Sequence, residues 1–114
     1  MKGIVVILSI LFLSVTANSA ERVKTSWFKI EQAGSDSNGP FVVHAPAGTT
    51  LENQTEVVSC GAGFNWGIGA AELTEDGYKT SISVALASFM AGKEVQLDYD
   101  KSLAGCYVYR IRVR

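Results

Sequence analysis

The sequence predicts a small, mainly β domain with one helix and one disulfide. Short apolar segments bounded by turn residues recur along the chain, which is the pattern of a β protein. One segment alone has the apolar spacing of a helix. Two cysteines, Cys60 and Cys106, offer the covalent cross-link from which a small exported domain gains stability. We expect residues 21–114 to form a single domain.

Residues 1–20 are predicted to be a cleaved signal peptide. Lys2 supplies a cationic start, and an apolar run from Ile4 to Val15 follows. This run of about 12 residues is shorter than the roughly 20 that a membrane-spanning helix needs, so a membrane anchor is the weaker interpretation. Small residues then suit signal peptidase, with the cut after Ser19 or Ala20. We therefore expect a secreted or periplasmic bacterial protein without stable membrane insertion.

Export would place Cys60 and Cys106 in an oxidising compartment, and two cysteines allow one intrachain pairing. A Cys60–Cys106 disulfide would close a loop of about 46 residues and add roughly 3–4 kcal/mol through the lost entropy of the unfolded chain. Two free, buried thiols are the alternative.

Charge and composition exclude several functions. Without residues 1–20 the domain has nine Lys and Arg against eleven Asp and Glu, a net charge of −2. That balance provides no basic surface for nucleic acid. One histidine, His44, is too few for a zinc site once the cysteines are paired. The glycines between Gly61 and Gly69 do not have the spacing of a dinucleotide-binding loop. We expect no nucleic-acid partner, no metal and no cofactor.

The first half of the domain is predicted to contain three strands. Val23–Glu31 is the first, followed by a turn-rich loop over Gln32–Pro40. Phe41–His44 is the second, and a loop over Ala45–Gln54 leads to the third at Glu56–Cys60. The glycine-punctuated segment that follows, up to Gly69, is predicted to be a loop or a bulged strand.

A helix is predicted over Tyr78–Ala91. Its apolar residues fall at the i, i+3, i+4, i+7 spacing of one buried stripe, formed by Ile82, Ala85, Leu86 and Phe89. Acidic residues precede the helix, where its N-terminus favours negative charge, and Gly92 ends it.

Two strands, Glu94–Tyr99 and Cys106–Arg114, are predicted to form a closing hairpin. Apolar and polar residues alternate in both, so the register must keep the two apolar sets on one face. The pairing we predict sets Val95 beside Ile111 and Leu97 beside Tyr109.

The order strand, strand, strand, helix, strand, strand is that of an OB-fold. This fold is a five-stranded Greek-key barrel with its helix between the third and fourth strands. A closed barrel also hides strand edges, which helps a small exported protein to avoid aggregation. An α+β sheet with one packed helix is the alternative that the same order allows.

Five pieces of the C-terminal half carry a family resemblance. They are Tyr78-Lys79, Leu86-Ala87, residues 92–97 (Gly-Lys-Glu-Val-Gln-Leu), Cys106 and residues 109–113 (Tyr-Arg-Ile-Arg-Val). In these pieces the chain resembles small exported bacterial proteins with an OB-like fold, related to the B subunits of pentameric toxins. The resemblance implies a non-enzymatic subunit that binds host sugars, often as a ring such as a homopentamer. The loops differ from those of the better-known toxin B subunits, so no sugar-binding position is carried over.

Aromatic residues are the first candidates for ligand binding. Trp66, beside Asn65 and between glycines, would present an indole to the apolar face of a sugar, with the amide hydrogen-bonding to hydroxyls. Trp27 is a second candidate. The alternative for both tryptophans is a place in the hydrophobic core.

Basic residues are the second group of candidates. Arg110, Arg112 and Arg114 lie at period two on one face of the last strand, where they would bind an anion such as a sialic-acid carboxylate or a lipid headgroup. The alternative is a solvated face whose arginines pair with Glu94 and Asp98 of the neighbouring strand. We also include Lys79, near the start of the helix.

Three functional hypotheses follow. The first is an exported, non-enzymatic binding subunit whose ligand is a glycan or a protein. The second is a periplasmic inhibitor or accessory protein that binds another protein. The third, a small secreted hydrolase, requires His44 to act as a base beside a nucleophile, and no serine-hydrolase motif accompanies it.

Overall fold

The computed structural model describes residues 21–35, 39–60 and 63–114. The predicted signal peptide, part of the Gln32–Pro40 loop and the start of the glycine-rich segment lie outside the described residues. The described chain contains seven strands, one α-helix and a short 3-10 turn at Ala70–Glu72. They are β1 (Arg22–Lys24), β2 (Phe28–Lys29), β3 (Gln32–Ser35), β4 (Phe41–His44), β5 (Gly63–Trp66), α1 (Glu75–Ala91), β6 (Glu94–Asp100) and β7 (Val108–Val113).

The strands form two antiparallel sheets. In the first, β6 pairs with β1 and β2 along one edge and with β7 along the other. In the second, β4 lies between β3 and β5. A single parallel bridge, Asn65–Tyr107, joins β5 to the residue before β7. The mainly β fold with one helix is confirmed, while the described strands do not close into a continuous barrel.

The first predicted strand, Val23–Glu31, is divided into two, β1 and β2. β1 and β2 both pair with β6, but their registers differ by one residue across the break. Thr25 occupies the break and keeps the chain on β6, because its backbone nitrogen donates to the Leu97 carbonyl at 2.9 Å and its hydroxyl accepts from the Leu97 nitrogen at 3.1 Å. β3 then pairs with β4, so four residues of the predicted Gln32–Pro40 loop are strand.

The strand predicted at Glu56–Cys60 lies later in the chain, at β5. Residues 49–58 form a small hairpin instead, in which the Leu51 nitrogen donates to the Glu56 carbonyl at 2.9 Å. The actual strand, β5, lies in the glycine-punctuated segment. Phe64 and Trp66 alternate with Asn65, and both aromatic side chains are fully buried. The described glycines flank this apolar alternation, so they leave its pairing with β4 intact.

The predicted hairpin of β6 and β7 forms in a different register. Val95 pairs with Val113 and Leu97 with Ile111, a shift of two residues from the predicted pairing. Because the shift is even, residues 110–113 keep their predicted faces. An irregularity between Asp98 and Tyr99 then adds one residue on the β7 side, so Val108 pairs with Tyr99 and is fully buried, a change of face that the alternation of the sequence does not reveal.

Helix α1 begins three residues before its predicted start. The Thr74 hydroxyl caps it by accepting from the Gly77 nitrogen at 3.1 Å, and Gly92 ends it in the left-handed conformation at φ 66°. Its buried residues are small: Ser81, Ala85 and Ser88.

The predicted stripe of α1 is therefore partly wrong. Ala85 is buried and Ile82 packs partly against the core, whereas Leu86 and Phe89 are 39% and 38% exposed. Two buried serines satisfy their hydroxyls within the helix, since Ser81 donates to the Gly77 carbonyl and Ser88 to the Val84 carbonyl, each at 2.7 Å. A face of small residues lets the helix approach the strands closely.

Aromatic side chains fill the space between the sheets. The Phe64 ring lies 6.0 Å from that of Phe28 and 5.4 Å from that of Tyr99, measured between centroids. The Cys60–Cys106 disulfide is confirmed, with 5.8 Å between the Cα atoms. Within the described ranges no helix combines the length and the apolar character that crossing a membrane requires.

Candidate functional site

A groove of about 490 Å³ lies between α1 and the β3–β4 pair. Five consecutive residues, 31–35, form one side of it, and Val42 and His44 of β4 continue the wall. Phe89, near the C-terminal end of α1, forms the other side. The groove exists because α1 buries its small face and leaves this phenylalanine at the surface.

The strand register explains the floor of the groove. Gln32 pairs with His44 and Gly34 with Val42, so these four residues share the face opposite the buried Val43. A Cβ placed on Gly34 would meet no atom within 4 Å. The groove is therefore open above this glycine.

The groove combines an aromatic ring with hydrogen-bonding groups. Gln32 contributes an amide and His44 an imidazole on this shared face, and Glu31 adds a carboxylate beside them. Within the described residues none of these three side chains makes an intramolecular hydrogen bond, so each is available to a ligand. An exposed ring beside such groups matches the mixed apolar and polar surface of a sugar.

The predicted aromatic candidates lie elsewhere. The Trp66 side chain is fully buried, with its ring 5.3 Å from that of Phe41, so the indole belongs to the core and presents no face to a ligand. Asn65 has a structural role, because its amide donates to the Gly105 carbonyl and its backbone nitrogen donates to the Cys106 carbonyl at 3.1 Å. This burial corrects the interpretation of Trp66 as a binding platform.

The predicted basic candidates are mostly paired. Arg112 donates to the Asp98 carboxylate at 2.6 Å, and Arg114 donates to Glu94 at 2.9 Å. The Arg114 guanidinium also lies 4.6 Å from the centre of the half-buried Trp27 ring. The arginine stripe thus has the neighbours predicted for a solvated sheet face.

The remaining two basic candidates are exposed. Arg110 pairs in register with Asp98 but makes no ion pair among the described residues. Lys79 lies on the outer face of α1, 3.5 Å from Glu75. The seven candidate residues therefore do not come together in one place, and none of them lines the groove.

Two features of the chain hide the groove at the level of sequence. Residues 32–35 were predicted to be a loop, although their pairing with β4 makes them one wall. Phe89 was predicted to be buried, because the serines of α1 count as polar in a periodicity analysis. A serine whose hydroxyl donates to a carbonyl of its own helix can be buried like a small apolar residue. Ser81 and Ser88 therefore marked an alternative buried face of α1 in the sequence.

His44 lines the groove without a catalytic arrangement around it. In the described part of the chain no hydroxyl is hydrogen-bonded to the imidazole, although Ser35 lies on the same groove. Nor do the described residues contain a group of three or more His, Cys, Asp or Glu that would hold a metal ion. The arrangement favours binding through hydrogen bonds.

Exposed apolar side chains form a second feature beside the groove. Leu86, Phe89 and Met90 are neighbours on the helix surface, and Met90 is 84% exposed. We call these three residues the helix patch. It adjoins β3, which pairs only with β4 among the described residues and so has one free edge.

The groove thus sets available hydrogen-bonding groups beside an exposed aromatic ring. The helix patch adds apolar surface to one side of it. The chain matches no protein-family model and no curated protein.

Proposed function

We propose that this chain is an exported, non-enzymatic binding protein whose ligand is a glycan held in the groove. The observation that carries the proposal is the Phe89 ring, 38% exposed, opposite the free polar side chains of Glu31, Gln32 and His44. The ring stacks on the apolar face of a sugar while the polar groups bind its hydroxyls. The Cys60–Cys106 disulfide is compatible with an oxidising compartment and so favours export.

An OB-like barrel is the fold that suits this role. It is supported by the pairing of the strands, because β1 and β2 pair with β6 and β3 pairs with β4. It is also supported by the parallel bridge between Asn65 and Tyr107, which brings β5 beside β7. In this proposal the chain acts like a toxin B subunit, and copies assemble as a ring such as a homopentamer.

A glycan array tests the proposal. The exported protein should bind a restricted set of glycans, and Phe89→Ala should reduce binding up to about tenfold, because one stacked ring contributes about 0.5–1.5 kcal/mol. Leu86→Ala is the matched control, since this residue has nearly the same exposure on the same helix but does not line the groove. Native mass spectrometry of the same sample gives the number of copies.

Filling the groove provides a second, independent test. Gly34→Phe should abolish binding, because the open space above Gly34 accepts the ring, whereas Gly34→Ala should keep it. Both variants should unfold at nearly the wild-type urea concentration. A wild-type protein that binds no glycan on the array contradicts the glycan proposal, and a monomer in native mass spectrometry contradicts the ring.

A protein partner is the second candidate, and the helix patch favours it. Three exposed apolar side chains beside the free edge of β3 are typical of a surface that another protein covers. In this case the chain is a periplasmic inhibitor or accessory protein.

The two candidates differ in their dependence on Met90, which belongs to the helix patch and does not line the groove. Met90→Asp should abolish capture of one stoichiometric protein from an envelope extract and leave glycan binding unchanged. Exposed Val57, 51% accessible and outside the patch, gives the matched control Val57→Asp. Capture that survives Met90→Asp contradicts the protein-partner candidate.

A further inference from the structure

Asp100, at the end of β6, is a buried carboxylate that accepts several hydrogen bonds. It is 6% exposed. Its Oδ1 atom accepts from the Ser102 hydroxyl at 2.6 Å and from the Ser102 backbone nitrogen at 2.9 Å. The third donor is the backbone nitrogen of Glu21, at 3.1 Å. All three donors are neutral as long as the chain continues before Glu21.

Asp100 forms no salt bridge among the described residues. The charge of Arg22, its register partner on β1, favours the carboxylate from a distance, but the Arg22 side chain pairs with Glu72, and Lys101 pairs with Glu56 at 3.0 Å. Arg22 also stacks on Tyr109, with 4.3 Å between the guanidinium carbon and the ring centre. A buried carboxylate that lacks an opposite charge is costly, and a charged donor within hydrogen-bond distance removes much of that cost.

Glu21 is held from both sides. Its nitrogen donates to Asp100, and its carbonyl accepts from the Lys101 backbone nitrogen at 2.6 Å. Because of these two bonds the Glu21 nitrogen stays beside Asp100 whether or not a residue precedes it. The predicted signal peptide ends at this position, with the cut after Ser19 or Ala20.

We infer that the chain is processed between Ala20 and Glu21, and that the new α-ammonium group of Glu21 forms an ion pair with Asp100. Hydrolysis breaks the bond between the Ala20 carbonyl carbon and the Glu21 nitrogen. One water molecule supplies the second oxygen of the Ala20 carboxylate. Its two protons are added to the Glu21 nitrogen, which becomes an ammonium group. The inference rests on the export part of the proposed function and is independent of the ligand.

Cleavage then contributes directly to the stability of the folded domain. An amide donor becomes a charged donor to the same carboxylate, without any movement of the chain. A cut after Ser19 would leave Ala20 in place, so Glu21 would remain an amide and Asp100 would lack the ion pair.

The first test is the N-terminus of the exported protein, determined by intact mass and N-terminal sequencing. Glu21 as the first residue supports the inference, and Ala20 as the first residue overturns it. A chain that stays inside the cell at full length contradicts export itself. The two failures are thus distinguishable.

The second test compares two purified chains by urea unfolding at pH 7, one beginning at Glu21 and one at Ala20. The chain that begins at Glu21 should have an unfolding equilibrium constant about fivefold smaller, because an ion pair at an exposed site contributes up to about 1 kcal/mol that an amide donor to the same carboxylate lacks. Asp100→Asn should remove the difference between the two chains. A difference that persists in Asp100→Asn, or equal stabilities in the wild type, overturns the inference.

A pH series keeps the test informative if Asp100→Asn does not fold. The carboxylate raises the pKa of the α-ammonium group, so the added stability is complete below the ordinary value of about 8 and is lost as the pH rises through the raised value. The nearby charges of Arg22, Lys101, Glu56 and the Glu21 side chain are common to both chains. The fivefold difference should therefore vanish by about pH 10, and its persistence there contradicts the inference.

Discussion

At the scale of single residues, the polar face of β6 depends on pairs rather than on individual groups. Asp98 is almost fully buried, and Arg112 is its ion-pair partner at 2.6 Å. The neighbouring Gln96 amide donates to the Thr25 carbonyl at 3.0 Å and to the Glu52 carboxylate at 2.6 Å. The alternation of the strand predicted that arginines would face acidic residues here. The alternation did not predict that Gln96 is buried, because its burial depends on Glu52 in the small hairpin of residues 49–58.

Removing Arg112 should leave Asp98 buried without its charge partner. We expect Arg112→Ala to lower the free energy of unfolding by about 2 kcal/mol, somewhat less than for a fully buried pair because the arginine is partly exposed. Arg110→Ala, on the same strand but exposed, should change it by less than about 0.5 kcal/mol. Urea titrations monitored by tryptophan fluorescence measure both, and equal effects would contradict the prediction.

Ser102 should make the stability depend on acid pH. Its hydroxyl is the main reason that the pKa of Asp100 lies below the ordinary value, although burial opposes this shift. A lowered pKa in the folded state adds stability above the ordinary value of about 4, and that stability is lost as the pH falls through the lowered pKa.

Ser102→Ala should therefore cost about 1 kcal/mol at pH 6 and progressively less below pH 4. Ser83→Ala is the matched control, because the Ser83 hydroxyl donates to the Lys79 carbonyl and no carboxylate is involved. Urea unfolding midpoints of the wild type and both variants, measured from pH 2 to pH 7, test this prediction. A cost of Ser102→Ala that stays constant with pH would refute the assignment.

At the scale of elements, the sequence predicts the period of an element better than which of its faces is buried. The helix has the predicted period, but it is rotated so that Ser81, Ala85 and Ser88 face the core. A hydropathy pattern cannot select this rotation, because it depends on the room that the strands leave. For a related reason the segment that contains β5 was predicted only as a loop or a bulged strand, since its glycines count as interruptions of a regular strand.

The close approach of α1 should make Ala85 intolerant of larger side chains. This residue is fully buried, so Ala85→Leu should reduce the free energy of unfolding by about 1–3 kcal/mol through overpacking. Ala87→Leu, two residues along on the exposed face, should be nearly neutral. Thermal unfolding followed by circular dichroism compares them, and a neutral Ala85→Leu would mean that α1 lies further from the strands.

At the scale of the molecule, the fold class was predictable from the sequence. The failure of the described strands to close into a continuous barrel was not. Composition, the lone helical period and the cysteine count were sufficient for a mainly β domain with one helix and one disulfide. The groove was not predictable, because it requires the β3–β4 register and the rotation of α1 together. Long-range contacts of this kind leave no pattern within a single segment.

The disulfide should contribute strongly because it closes a loop of 46 residues. Replacing Cys60 and Cys106 together by alanine should lower the free energy of unfolding by roughly 3–4 kcal/mol. Reductant should destabilise the wild type by a similar amount and leave the double variant unchanged. An unchanged urea midpoint in the double variant would show that the bond contributes little to stability.

The position of the disulfide also orders the events of assembly. Cys106 lies between β6 and β7, beside the single parallel bridge to β5. In a chain that crosses a membrane with its N-terminus first, every strand except β7 has emerged before this cysteine arrives. If the chain is exported in this way, as proposed, the disulfide forms late, and trapping the reduced chain during export would capture a molecule in which β7 has not yet paired with β6.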